Sequence, residues 1–95
     1  MEENFEYTFS NGDLIYISPK GEDGYTVNIL ADKPLMGTFT SFENLLYGLA
    51  PIVQNAASDN LEFGMFATEL HYHFLEMDDD VMTMTTDDIK EILLK

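Results

Sequence analysis

Glu62, Glu69 and Glu76 recur at seven-residue steps, and the triplet Asp78-Asp79-Asp80 lies just beyond them. On a helix, such a repeat forms one charged stripe with successive carboxylates about 10.5 Å apart along the axis. Asp59 precedes the stripe, and Asp87 and Asp88 follow it. The span from Asp59 to Asp88 therefore holds nine acidic residues and no Lys or Arg. The chemistry open to such a set is charge presentation: a row of anions that a cationic groove could accept in place of phosphates. Duplex DNA carries about one charge per 1.7 Å of axis, and a helix bearing the stripe, with the Asp78–Asp80 run and the flanking Asp59, Asp87 and Asp88, could stand in for a stretch of such charge.

Other reactive residues point to less. Glu69, His71 and His73 would share one face only on a strand, where they could offer a carboxylate and two imidazoles to a metal. On a helix His71 and His73 point roughly 200° apart. His73 would then sit between Glu69 and Glu76, as an imidazolium supported by charge or a partly buried structural histidine. Asp78-Asp79-Asp80 lacks the alternating ligands, the central Gly and the closing Glu of an EF-hand loop. It reads as a solvated helix-terminal run. The glycines form no phosphate-binding loop, and there is no nucleophile elbow and no HExxH. Neither an enzyme nor a cofactor is expected.

The element that must position the carboxylates is a helix starting after Asp59. Phe63, Phe66, Leu70, Phe74 and Met77 recur at spacings of three and four, which marks its buried face. Gly64 weakens its first turns. Upstream, Phe5–Phe9 alternates as a half-buried strand, and Asn11-Gly12 favours a two-residue hairpin turn. Leu14–Ile17 returns as a central strand, Pro19–Gly24 is a turn cluster, and Tyr25–Leu30 forms a third strand. These three make an antiparallel meander. Ala31–Phe39, with Pro34 and Gly37, reads as the connection to the helices. Thr40 with Glu43 fits a capping box for a helix whose apolar face is Phe42, Leu45, Leu46, Leu49, Ile52, Val53 and Ala56. Pro51 should kink or restart that helix near Leu49. Val81–Thr85 reads as a short fourth strand or an extended linker. Thr85 with Asp88 caps a last helix that buries Ile89, Ile92 and Leu93. The methionines read mostly as packing, with Met82 and Met84 near enough to the acidic run to form an adaptable surface.

The expected architecture is one α+β domain over residues 1–95: a three-stranded antiparallel meander followed by two to three helices packed on one face. Eighteen acids against four lysines give a net charge of −14, and there is no Arg and no Cys. Disulfides and thiolate metal sites are excluded, which fits a reducing cytoplasm. No apolar run approaches the length of a membrane span. Such a surface repels nucleic acid and anionic membrane and attracts basic proteins.

In size, acidity and lack of Cys the chain is similar in general character to phage-encoded DNA mimics, including anti-restriction and anti-CRISPR proteins. That similarity implies an inhibitor of a basic nucleic-acid-binding protein or nuclease, acting in the cytoplasm of a host cell. The expected contact set is Asp59, Glu62, Glu69, Glu76, Asp78, Asp79, Asp80, Asp87 and Asp88. An immunity protein or antitoxin against a basic nuclease toxin would need the same charge. An adaptor domain would bind through apolar surface instead. The open edge of the meander is also a place where a second copy could pair as a homodimer.

Overall fold

A computed structural model describes residues 4–20, 24–31, 34–75 and 79–94. The arrangement is α+β, with four antiparallel strands in the order of the chain followed by helices. The strands are β1 (Phe5–Thr8), β2 (Leu14–Pro19), β3 (Tyr25–Leu30) and β4 (Leu35–Phe39). The helices are α1 (Phe42–Ala56), α2 (Asn60–Phe74), the single turn α3 (Asp79–Met82) and α4 (Thr86–Leu94).

Alternation sets the sheet. Phe5, Ile15, Ile17, Tyr25, Val27 and Ile29 are buried on the helix side, whereas Glu6, Asn28, Leu30 and Met36 lie exposed on the other. Phe9 donates its N–H to the Asp13 carbonyl at 2.8 Å, closing a three-residue loop, Ser10-Asn11-Gly12. Only Gly12 in that loop has positive φ, at 96°. The expected two-residue turn would need it at both positions, so the longer loop forms instead.

A fourth strand does exist, but in another place. Leu35–Phe39 pairs with β3 from Ile29↔Leu35 to Tyr25↔Phe39, so the segment read as a connection is part of the sheet. Val81 meanwhile lies in α3, fully buried, and residues 83–85 form no strand. Gly24 makes the β3–β4 pairing possible. It has φ 101°, and a Cβ there would run into the Phe39 carbonyl.

α1 runs through Pro51 as one helix, without the expected restart. Pro51 is exposed, so water can reach the Tyr47 carbonyl that loses its partner. Buried Leu45, Leu46 and Leu49 before the proline and Val53 and Ala56 after it hold both halves to the core. The cap is one residue later than the spacing suggested: Ser41 Oγ accepts from the Asn44 N–H at 3.1 Å. Asn44 Nδ2 in turn donates to Thr40 Oγ1 at 3.1 Å, which leaves Glu43 out of the cap.

Aromatic rings seat α2 on the sheet. Phe66 packs against Phe5, Tyr7 and Phe9 with ring centroids 5.3–5.9 Å apart. Phe74 packs edge-on against Tyr25 and Phe42 at 5.4 and 5.9 Å. α1 lies against β4, α2 against β1, and α4 packs against both helices. Gln54 of α1 donates to the Leu93 carbonyl of α4 at 2.7 Å. Among the described residues no helix is long and apolar enough to cross a membrane.

Candidate partner-binding face

The anticipated contact carboxylates divide into three groups. Asp59, Glu62 and Asp88 are engaged within the fold. Asp59 caps α2, its Oδ1 accepting from the Glu62 N–H at 2.9 Å. Glu62 Oε1 accepts from the Ser58 N–H at 2.8 Å and from Ser10 Oγ at 2.9 Å, and Oε2 accepts from the Ser10 N–H at 2.8 Å. These bonds favour the charged form. The Ser58 amide contributes most, and together they hold the Glu62 pKa below its ordinary 4.5. Asp88 and Thr85 form the expected reciprocal cap, each side chain accepting from the other's N–H at 3.0–3.1 Å.

The second group faces solvent. Glu69 on α2 and Asp87 on α4 line one groove of about 470 Å³ between the helices. Leu61 and Met65, both exposed, line it too, and Lys90 lies beside Gly64. Asp79 and Asp80 stand elsewhere, on α3. Asp80 shares a cleft with Glu43, Ser41 and Met84. The third group is Glu76 and Asp78, which lie outside the described residues, as does Met77. Among the described residues α2, Asn60–Phe74, carries Glu62 and Glu69 of the seven-residue stripe, and Glu62 is turned toward the β1–β2 hairpin.

Residues 69–73 are helical, so the strand geometry that would bring His71 and His73 together does not occur. His71 Nε2–H donates to the Met84 carbonyl at 2.8 Å, tying α2 to the segment before α4. His73 is half-buried, edge-on to Phe5 and Phe74 at 5.4 and 4.8 Å. Among the described residues no group of three His, Asp or Glu is placed to hold a metal ion.

Reading Met36 and Met65 as packing missed their exposure. Among the described methionines Met36, Met65 and Met82 are exposed, Met82 as the adaptable-surface reading allowed, and Met84 is half-buried against the core. Tyr72, at 82% exposure, continues the α2 face that begins with Leu61 and Met65. The signal was present in the spacing: positions 61, 65, 68 and 72 fall on one helical face, opposite Phe63, Phe66 and Leu70. The sequestration of Glu62 was also signalled, since an Asp followed three residues later by Glu marks a helix start.

No family model matches the chain, and no curated protein or solved structure matches it either.

Proposed function

We propose that the chain is an acidic inhibitor protein that binds a basic nucleic-acid-handling enzyme, presenting carboxylates where that enzyme would hold phosphates. It is read as a phage-type DNA mimic of the anti-restriction or anti-CRISPR kind, non-catalytic and acting in the cytoplasm of a host cell. The observation that supports this reading most is the α2–α4 groove, where Glu69 and Asp87 converge from two helices beside exposed Leu61 and Met65. Apolar and aromatic anchors within a charged rim are how protein interfaces combine affinity with steering. The net charge of −14 adds long-range attraction to any cationic groove. A nuclease toxin would present the same kind of target, so an immunity protein is the closest neighbouring reading. Exposed Leu61, Met65 and Tyr72 favour the adaptor as a second reading.

The test is capture of a partner from host lysate by the tagged chain, washed at low and then high salt. A nucleic-acid-binding enzyme that elutes with salt is the expected result. The variant Glu69→Lys with Asp87→Lys should weaken its capture at least about tenfold while circular dichroism stays native. Undiminished capture by that variant would remove the groove as the contact. A salt-resistant partner would favour the apolar adaptor.

A further inference from the structure

Charge is distributed unevenly along this chain. From Pro34 to Ser58, the stretch that holds β4 and α1, Glu43 is the sole charged residue, although charged residues make up 23% of the whole. On this side β4 ends the sheet, with no further strand beside it among the described residues. Edge strands are commonly blunted by a charge, a proline or a bulge. β4 contains none of these: its five residues are Leu-Met-Gly-Thr-Phe, in unbroken register with β3. Leu35 and Met36 are 54% and 75% exposed. Depletion of charge with exposed Met and aromatic side chains is the compositional mark of an interface core.

The hydrogen-bond phase of the sheet gives this edge a definite pattern. Phe9 directs both its backbone groups toward the β2 side, its N–H to the Asp13 carbonyl and its C=O to the Gly12 N–H. Alternation from that residue through the three registers bonds Leu35, Gly37 and Phe39 to β3 and turns the N–H and C=O of Met36 and Thr38 outward. An apolar pocket of about 170 Å³, lined by Ile29, Leu35, Gly37, Leu49 and Ile52, opens along the same edge.

We propose that β4 is a self-association edge: two copies pair antiparallel through β4 about a two-fold axis at Gly37, joining their sheets into one. In this register Met36 lies opposite Thr38 of the second copy, and these pairs exchange four backbone hydrogen bonds. Leu35 meets Phe39 of the second copy on the helix side, beside the apolar pocket, as an aliphatic–aromatic cross-strand pair. The interface is isologous, as a two-fold contact must be. The charge distribution selects this occupant. A basic partner finds little to pair with along residues 34–58, whose one charge is Glu43, and the Asp32-Lys33 pair just before the strand is neutral in sum, so two copies of a −14 chain meet here with less like charge than elsewhere. The other edge, β1, carries Glu6 and follows Glu2-Glu3, so copies meeting there would oppose carboxylates. This surface is separate from the α2–α4 groove and does not depend on the function proposed for it.

Sedimentation equilibrium from about 10 µM to about 1 mM tests the proposal, because a strand-edge contact smaller than a standard interface should dissociate in that range. The wild-type chain should dimerise, and association should tighten at least about threefold from 0.05 to 0.5 M salt as repulsion between the copies is screened. Thr38→Pro removes an outward N–H without touching the β3–β4 ladder. It should weaken the dimer at least about tenfold with circular dichroism unchanged. Gly37→Cys gives an independent reading. A Cβ there meets only the Phe39 ring edge at 3.9 Å. Facing Cα atoms at this non-hydrogen-bonded pair would be about 4.5 Å apart, within disulfide reach. Gly37→Cys should therefore cross-link on mild oxidation much faster than Thr8→Cys on β1. A chain that stays monomeric at high salt overturns the proposal, as does a dimer indifferent to Thr38→Pro. Cross-linking of Gly37→Cys no faster than Thr8→Cys also overturns it, and this decides the matter even if the proline variant fails to fold.

Discussion

The carboxylate of Glu62 accepts bonds from Ser58 and from both the N–H and the hydroxyl of Ser10, so its charge is used to join the β1–β2 hairpin to the start of α2. A group whose pKa is lowered by folding stabilises the folded state above its unfolded pKa and loses that contribution as pH falls through the folded value. Glu62→Gln should therefore lower the melting temperature at pH 7. The gap to wild type should narrow as pH falls through 4.5 and below, where the unmodified residue also becomes protonated. A pH-independent gap would mean that shape, not charge, carries the contact. Glu69 and Asp87 hold no such hydrogen-bonded latch, although Asp87 lies in the first turn of α4, so their reversal tests partner binding once circular dichroism and melting temperature show the fold retained.

At the scale of elements, β4 depends on a single conformation at Gly24. Gly24→Ala would need a positive φ and would press its Cβ on the Phe39 carbonyl. Strain of this kind costs about 1–3 kcal/mol, so thermal or urea unfolding should report a clear loss of stability. A neutral substitution would show that the β3–β4 junction can relax. Alternating apolar residues made β1 and β3 legible in the sequence, a short continuous apolar run did so for β2, and the three- and four-residue spacing of Phe63, Phe66, Leu70 and Phe74 did the same for α2. β4 was not legible because Leu35-Met36-Gly37-Thr38-Phe39 has no clean alternation and follows a proline. Its pairing is decided by the free side of β3, a tertiary fact with little local signature. At Pro51 the opposite happened for one of the two expected outcomes: the helix does not restart, because buried side chains on both sides of the proline hold it to the core. In the candidate site, types and charges were readable, and the local part of Glu62's engagement, the Ser58 amide, was signalled by the helix start, whereas its bonds from Ser10, 52 residues away, had no local signature.

For the molecule as a whole, −14 on a chain with a Cα radius of gyration of 12.2 Å means sustained self-repulsion. Added salt should raise the melting temperature, measured at low micromolar concentration so that association does not contribute. No rise would mean that the carboxylates are better compensated than their number suggests. Each strand of the sheet pairs with the strand next to it in the chain, so those contacts close short loops and can form early. The bond between Ser10 and Glu62 spans 52 residues and requires both the hairpin and the start of α2 to be in place. A contact made after the folding barrier leaves the folding rate nearly unchanged and acts on the rate of unfolding. The Ser10–Glu62 latch is thus expected to govern how long the folded molecule lasts more than how quickly it is reached.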